Sequence, residues 1–269
     1  MSEEATYRLD VSVWPKDGRQ VIVVGCGGTG SFVVEGLCRL LAPEISLLLV
    51  DDDRVEERNL LRQNFCTNDL GKFKSQALAE RLAIKFGRMV GYSTATFTPD
   101  LIKATNNWHG GLYQVIYTVV IGCVDNGLAR AAIARAMLPW SGKRWWIDSG
   151  NADNWGQVLI GNNEPEHMKG AFNQTRGICY SLPLPSIQQP EILAGRPQPA
   201  NSCAEAVANN HQSELINQTM SVLVLEVVRR LLAGTLSWMQ IWLDLENGTM
   251  RTVGATPETV ARMTGMEIR

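Results

Sequence analysis

Short β-branched runs alternate along the chain with longer amphipathic stretches, which is typical of strands that alternate with helices. The run Val21–Val24 ends at a glycine-rich turn and leads into an apolar helical pattern. A second run, Leu47–Val50, ends in the acids at 51–53. This order predicts a strand–helix–strand unit of about thirty residues, the size of one nucleotide-binding half of a doubly wound fold.

The same reasoning extends over the rest of the chain. A continuous apolar run at 115–123 is typical of a central parallel strand. The predicted strands are 20–24, 46–51, 94–97, 115–123, 144–147 and 154–161, the predicted helices are 28–41, 71–86, 127–138 and 204–232, and a hairpin is predicted over 239–253. The predicted fold class is α/β, a doubly wound, Rossmann-like and mostly parallel sheet with a C-terminal antiparallel extension.

Composition divides the chain into four segments. Residues 1–18 end in a turn signal and are predicted to form a loosely ordered N-terminal arm, and residues 19–161 are predicted to form a nucleotide-binding α/β domain. Residues 162–202 are rich in Pro, Asn and Gln, and we expect a crossover loop with few apolar anchors. Residues 203–269 supply a helix and a hairpin that complete the same domain.

Glycines in the first turn match the pattern G-x-G-x-x-G. Gly25, Gly27 and Gly30, with Gly28 between them, allow a tight turn and let N–H groups at a helix N-terminus approach a phosphate. Asp51 follows about twenty residues later, where a carboxylate can bind ribose hydroxyls. These residues predict a nucleotide-binding site but do not identify the nucleotide. The alternative is a tight turn that binds no ligand.

A dense group of polar residues follows the second strand. Asn59, Arg62, Gln63 and Lys74 exceed what a dehydrogenase needs there. A nucleoside triphosphate requires such a group, because Arg and Lys neutralise phosphate oxygens. The alternative is that Arg62 and Lys74 are surface charges, and Lys72 is the competing lysine.

Carboxylates complete the predicted site. Asp125 ends another buried strand, where it would suit Mg²⁺ bound to phosphates or, alternatively, would cap the next helix. Asp53 belongs to three adjacent carboxylates, whose repulsion predicts a cation or a sugar hydroxyl beside at least one of them. Arg130, one turn into the following helix, is predicted to pair with a carboxylate.

Together these motifs resemble the ThiF/MoeB family, the bacterial relatives of ubiquitin-activating enzymes. The short form and the GCGGTG variant are also similar to the ThiF-like proteins of bacterial PRTRC gene systems. The resemblance extends from about residue 20 to about residue 245. It is carried by the segments 25–30, 47–65, 69–77 and 122–130 and by the helix after Cys203.

The resemblance implies an activity: ATP and Mg²⁺ would adenylate the C-terminal glycine of a small ubiquitin-like protein. By position, Asp51 would bind ribose and Asp125 would organise Mg²⁺. It also implies a homodimer in which an arginine from the partner's arm reaches the phosphates, with Arg8 as the candidate. The residues that would contact the triphosphate are Asn59, Arg62, Gln63 and Lys74.

Cysteines raise two further hypotheses. Cys203 lies at the end of the crossover loop before a helix, whose N-terminus lowers a thiol pKa. The resemblance implies thioester or acyl-persulfide chemistry at this position in some members, and an inert packing residue is the alternative. The six cysteines form no C-x-x-C pair, unlike the zinc-binding pairs of many relatives, so we predict no structural zinc. A mixed site of Cys179, Cys203 and a histidine is the alternative.

Composition narrows the function. A net charge of −2 gives no electrostatic reason to expect a nucleic acid, and no apolar run reaches the length of a membrane span. The acidic N-terminus and the reduced thiols favour the cytoplasm. The predicted function is ATP-dependent adenylation of a carboxylate, with transfer to a cysteine as a later step. The alternatives are a nucleotide-binding interaction module without this chemistry and an NAD-dependent oxidoreductase.

Overall fold

The computed structural model describes residues 6–9, 11, 14, 18–106, 117–138, 143–194 and 215–266. Cys203 and the predicted helix start at 204 lie outside these residues. Among the described residues, no helix combines the length and apolarity needed to cross a membrane.

Strands and helices alternate through most of the described chain. The strands are β1 (Arg8–Leu9), β2 (Arg19–Val24), β3 (Ser46–Val50), β4 (Gly91–Ser93), β5 (Tyr117–Gly122), β6 (Arg144–Asn151), β7 (Trp155–Gly161), β8 (Phe172–Asn173), β9 (Ile178–Cys179), β10 (Trp238–Asp244) and β11 (Thr249–Gly254). The α-helices are α1 (Gly28–Leu40), α2 (Lys74–Phe86), α3 (Pro99–Asn106), α4 (Gly127–Met137), α5 (Pro185–Gln188), α6 (Ile216–Leu232) and α7 (Pro257–Thr264). Short 3₁₀ turns cover Glu57–Asn59, Thr67–Asp69, Pro165–His167 and Pro190–Leu193.

An eight-stranded sheet forms the centre of the fold, in the order β11-β10-β7-β6-β5-β2-β3-β4. The strands from β6 to β4 run parallel, and β7, β10 and β11 extend the sheet antiparallel. The strand order reverses beside β2, since β3 and β5 flank it on opposite sides. This topology confirms the predicted doubly wound α/β fold with an antiparallel extension.

Each face of the sheet packs its own apolar core. One core includes Leu37 of α1, Leu78 of α2 and Val224 of α6, and α1 also packs against α6. The other core includes Ile102 of α3 and Ile133 of α4. Strand β6 divides between them: Trp145 belongs to the first core and Trp146 to the second, because successive side chains of a strand point to opposite faces.

Two predicted segments are better anchored than we expected. In the N-terminal segment, Leu9 and Trp14 are buried and β1 pairs in parallel with β9, so the expectation of a loosely ordered arm is wrong for these residues. The expectation of few apolar anchors in the crossover loop is also wrong for its described part. The buried apolar residues there are Met168, Ala171, Phe172, Cys179, Leu182, Leu184 and Ile192.

One predicted strand is displaced in the structure, and two helices of the structure were not predicted. The strand predicted at 94–97 lies three residues earlier, because the edge strand β4 pairs with Leu48–Val50 of β3. Helix α3 was not predicted, and neither was α7. Yet α7 carries a helix start signal, with Thr256 accepting the Thr259 N–H and Pro257 at the first turn.

The glycine-rich turn joins β2 to α1 with no space for side chains at two positions. Gly25 has a φ of +88°, a conformation that favours glycine, and a Cβ there would lie 2.6 Å from the Cys123 carbonyl oxygen. At Gly30 a Cβ would overlap the Gly25 carbonyl oxygen. Both obstacles are backbone atoms, so neither can move aside without shifting the turn.

We therefore expect Gly30→Ala to destabilise the protein by about 3 kcal/mol, because overpacking against backbone forces α1 away from the sheet. Gly254→Ala is the matched control: its Cβ would lie 3.6 Å from the Thr256 side chain, an ordinary contact. Urea denaturation measures both variants. Equal unfolding free energies for the two would contradict the proposed close packing at Gly30.

Candidate active site

A cleft of about 920 Å³ lies at the carboxyl ends of the parallel strands. Val24, Val50 and Gly150 line it at the ends of β2, β3 and β6, and Cys123 lines it just after β5. This position coincides with the reversal of strand order beside β2, where doubly wound proteins bind their ligands.

The N-terminus of α1 forms one wall of the cleft. Gly27 is the N-cap residue, it has no side-chain capping hydrogen bond, and the first turn of α1 contains no acidic residue. Gly27, Gly28 and Thr29 line the cleft. Since the first N–H groups of a helix have no partner within the helix and carry a positive partial charge, this wall suits a phosphate.

Asp51 joins the glycine-rich turn to the end of β3. One carboxylate oxygen accepts the Cys26 N–H at 2.5 Å, and the other accepts the Asp53 N–H at 2.8 Å. Burial raises the pKa of the Asp51 carboxyl above its ordinary value, while these two N–H groups lower it. The carboxylate therefore borders the cleft in a fixed orientation.

The two lysines considered in the sequence occupy different environments. The Lys74 side chain is 10% exposed and its Nζ lies 2.8 Å from Asp53 Oδ2. The Lys72 side chain is 44% exposed and its Nζ lies 3.0 Å from Glu80 Oε2 on the surface. Lys74 and Asp53 line the cleft and Lys72 does not. The structure thus brings Lys74 to the nucleotide motifs.

Arg62 and Gln63 reach the cleft from the turn after β3, and Asn59 supports that turn. The Asn59 side-chain oxygen accepts the Glu56 N–H at 2.8 Å. The Asn59 backbone carbonyl oxygen accepts the backbone N–H groups of Arg62 and Gln63. Asn59 is buried and does not line the cleft. Its place in the structure is that of a positioning residue, and its predicted contact with a triphosphate stays a prediction.

The sequence left two roles open for Asp125, which were binding of Mg²⁺ and capping of the next helix. In the structure the neighbouring residue, Asn126, is the cap. Asn126 is the N-cap of α4, and its side chain accepts the Ala129 N–H at 2.8 Å. Asp125 is exposed, lines the cleft and does not cap the helix. Its carboxylate is consequently open to a cation or a ligand in the cleft.

Arg130 lines the cleft and forms a buried ion pair with Asp148, which does not line it. Its Nε lies 3.1 Å from Asp148 Oδ1 and 3.2 Å from Oδ2. Burial raises the pKa of the Asp148 carboxyl to about 6, although the Arg130 charge and hydrogen bond lower it. The predicted structural pairing of Arg130 is thereby confirmed, and the pair fixes α4 against β6.

Three buried polar atoms in the cleft have no hydrogen-bond partner among the described residues. They are Gln63 Oε1, Ser149 Oγ and Gln157 Oε1. A buried polar atom without a partner costs about 1–3 kcal/mol, so such atoms mark places that a ligand or water completes.

Sequence reasoning missed several residues that line the cleft. Ser149, Asn151, Gln157, Asn217 and Trp242 come from strands and a helix far along the chain. Asn217 links α1 to β6, since its Oδ1 accepts the Thr29 hydroxyl at 3.5 Å and the Asn151 Nδ2 group at 3.3 Å. No local pattern marks these positions, and only the sheet order brings them to the site.

The remaining predicted positions lie outside the cleft wall. Gly30 is buried behind Gly25 and serves close packing. Among the described residues, two groups could share a metal ion by proximity, Asp51 with Asp52 and Asp53, and Glu164 with Glu166 and His167. Neither group includes Cys179, which is buried, and the absence of structural zinc stays a prediction.

Comparison with known proteins identifies relatives over most of the chain. The sequence profile of the ThiF family matches residues 17–268. Ubiquitin-like modifier-activating enzyme 5 of Dictyostelium discoideum is 36% identical over 140 residues, which cover 50% of this chain and 35% of that protein. The Aedes aegypti enzyme of the same name is 30% identical over 153 residues, 51% of this chain and 34% of that protein. The chain thus spans about a third of the length of these two relatives.

Solved structures share the fold at low sequence identity. PaaA superposes with a TM-score of 0.58 at 18% identity, covering 88% of this chain and 64% of that one. E. coli MccB with ATP superposes with a TM-score of 0.57 at 16% identity, covering 87% of this chain and 63% of that one. This chain is similar to both in architecture.

The buried ion pair gives a pH-dependent prediction. We expect Arg130→Met to cost about 3–5 kcal/mol at pH 7.5, because it leaves the Asp148 carboxylate buried without its partner. The raised pKa of Asp148 means that the folded state holds a proton the unfolded chain releases, so stability falls as pH rises through about 6. Without Arg130 the pKa of the Asp148 carboxyl rises further, so the carboxyl is neutral at pH 5. The loss of stability of Arg130→Met relative to wild type should therefore be smaller at pH 5 than at pH 7.5.

Urea denaturation of wild type and Arg130→Met at pH 5 and pH 7.5 measures this difference. Arg135→Met is the control, because Arg135 is an exposed residue of the same helix. We expect it to change stability by less than about 0.5 kcal/mol at either pH. An Arg130→Met deficit that grew toward pH 5 would contradict the pairing.

Proposed function

This chain belongs to the ThiF family, and from that premise we propose that it uses ATP to adenylate a carboxylate. The acceptor is the C-terminal carboxylate of a small β-grasp, ubiquitin-like protein that ends in glycine. One observation carries the proposal: the glycine-rich turn, Asp51, Lys74 and Asp125 border a single cleft. The curated relatives named above, which are ubiquitin-like modifier-activating enzymes, support the choice of acceptor.

The reaction needs charge neutralisation more than acid–base chemistry. A carboxylate oxygen of the acceptor attacks the α-phosphorus, the bond to the β-phosphate oxygen breaks, and pyrophosphate leaves. Because the acceptor is already ionised at neutral pH, no strong general base is required. Positioning and electrostatic stabilisation therefore supply most of the rate.

Each cleft residue has a place in this proposal. The α1 N-terminus holds phosphate, and Asp51 binds the ribose hydroxyls. Arg62, Gln63 and Lys74 neutralise or donate to the triphosphate, with the Lys74 ammonium passing from Asp53 to phosphate oxygens. Asp125, an exposed carboxylate in the cleft, would hold Mg²⁺, which neutralises phosphate charge when bound.

The partner arrangement is part of the same proposal. We infer a cytoplasmic homodimer that handles no nucleic acid. The exposed Arg8 is the candidate for the arginine that enters the partner's site.

Ligand preference tests the proposal against its two alternatives. MgATP should raise the melting temperature and NAD should not, because Arg62 and Lys74 offer cationic partners to a triphosphate. Pyrophosphate exchange into ATP, in the presence of glycine-terminated β-grasp proteins from the same genome, should then separate an enzyme from an inactive module. A shift with NAD alone would favour an oxidoreductase, and ATP binding without exchange would favour the module.

Charge removal in the cleft should weaken the exchange. We expect Lys74→Ala and Arg62→Ala each to lower kcat/KM, because both side chains act on developing charge. Each decrease should correspond to a loss of about 2–4 kcal/mol of transition-state stabilisation. Asp125→Ala should abolish exchange while the fold remains intact. Lys72→Ala, the surface control two residues from Lys74, should change kcat/KM little.

Two results would overturn these roles. A larger loss in Lys72→Ala than in Lys74→Ala would transfer the role to the exposed lysine. Exchange that proceeds equally well in wild type without Mg²⁺ would remove the role of Asp125.

We propose that Cys203 accepts the acyl group after adenylation. Its thiolate would attack the acyl carbonyl, form a thioester and release AMP. Three other thiols are less reactive, because burial raises the pKa of Cys26, Cys38 and Cys123, the last to about 12. Cys66 is exposed and would compete for reagents, so the test needs a Cys66→Ser background.

In that background, Cys203 should alkylate with iodoacetamide faster than Cys26, Cys38 and Cys123 between pH 6 and 9, as peptide mass spectrometry can measure. Cys203→Ser should still form the adenylate but fail to pass the acyl group on. If Cys203 reacts no faster than the three buried thiols, it is a packing residue and the enzyme stops at the adenylate.

A further inference from the structure

Asn64 directly follows Arg62 and Gln63 and fastens their turn to α1. Its backbone N–H donates to the Ser31 hydroxyl at 2.9 Å, and its side-chain Nδ2 donates to Glu35 Oε2 at 2.8 Å. Ser31 and Glu35 lie four residues apart on α1, so one residue contacts two successive turns of that helix. Arg62 and Gln63 line the cleft and Asn64 does not. Asn64 can therefore affect a ligand in the cleft only through its neighbours.

Ser31 extends this contact to the glycine-rich turn. It is fully buried, and its hydroxyl donates to the Gly28 carbonyl oxygen at 3.2 Å while accepting the Asn64 N–H. A hydroxyl can donate one hydrogen bond and accept others, so it satisfies both backbone groups at once. Gly28 lines the cleft in the first turn of α1, which is the proposed phosphate site. The turn that carries Arg62 is thereby joined to the helix end that faces the cleft.

Helix α2, which begins at Lys74, is joined to the same residue. The Asn64 carbonyl oxygen accepts a hydrogen bond from Arg81 Nη2, and Glu35 Oε1 accepts one from the Lys85 ammonium at 2.8 Å. Hydrogen bonds, chiefly the one from Lys85, lower the pKa of the Glu35 carboxyl to about 2. The carboxyl is therefore ionised at neutral pH, which strengthens the hydrogen bond that it accepts from the Asn64 amide. Asn64 lies where α1, α2 and the turn before it meet.

We propose that Asn64 is a positioning residue that holds Arg62 toward the phosphates of ATP. This inference rests on the proposed function. The turn is anchored before Arg62 by Asn59 and after it by Asn64. Leu61, between these anchors, is 81% exposed, so apolar packing does not hold the turn at that point. Without the Asn64 contacts the turn would lose order, and ATP would have to restore that order on binding at a cost in entropy.

A double-mutant cycle with Arg62 tests this role. Asn64→Ala removes the amide that reaches Glu35, and we expect calorimetry to show ATP binding about fivefold weaker than in wild type. In an Arg62→Ala background the same change should alter ATP affinity by less than about twofold, because the side chain that it positions is gone. Adenosine, which has no phosphate, should bind Asn64→Ala as tightly as wild type.

A second variant breaks the neighbouring contact and keeps the test decisive if Asn64→Ala fails to fold. Ser31→Ala removes the hydroxyl that accepts the Asn64 N–H. It should also weaken ATP binding, and this loss should disappear in the Arg62→Ala background. Asn68→Ala is the matched control, since Asn68 is an exposed asparagine four residues along the chain. It should bind ATP like wild type.

Three results would overturn the inference alone. They are additive losses of ATP affinity in the Asn64 and Arg62 variants, an equal loss of ATP and adenosine affinity in Asn64→Ala, and wild-type ATP affinity in both Asn64→Ala and Ser31→Ala. The first two would mean that Asn64 supports the fold without directing Arg62. If wild type itself does not bind ATP, the proposed function fails, and the inference that rests on it fails as well.

Discussion

The close approach of Gly30 to the Gly25 carbonyl oxygen is the constraint on which the site depends. A Cβ at position 30 would overlap that oxygen. Because glycine has none, α1 can begin directly at the carboxyl edge of β2. That start places uncapped N–H groups beside the cleft and beside the end of β3. Asp51 then closes the arrangement by accepting the Cys26 N–H. A side chain at either glycine would separate the N-terminus of α1 from the Asp51 carboxylate.

The two ion pairs at the cleft differ in how easily a ligand could replace one partner. Lys74 is held by Asp53, which is largely exposed, so a phosphate can take over the lysine at a small cost in solvation. Arg130 is different, since its carboxylate partner Asp148 is fully buried. One pair therefore suits exchange with a ligand, and the other suits support of the sheet below it.

The two ends of the cleft are built by different parts of the chain. The motifs of the first half supply glycine, acid and base around β2 and β3, and the second half supplies amides and hydroxyls on β6, β7 and α6. Gln63 Oε1 belongs to the first end, and Ser149 Oγ and Gln157 Oε1 belong to the second. Each of these atoms is buried without a hydrogen-bond partner among the described residues.

The sequence by itself determined the α/β class, the glycine-rich turn, Asp51 and the pairing of Arg130, because these follow from local spacing and from hydrophobic period. The family resemblance favoured Lys74 over Lys72, and the structure places Lys74 in the cleft and Lys72 outside it. Only the tertiary structure chose Asp148 as the partner of Arg130, set β4 by its register with β3, and brought Gln157 and Asn217 to the cleft. Those outcomes depend on which strands become neighbours, and pairing between distant segments leaves no periodic pattern in the chain.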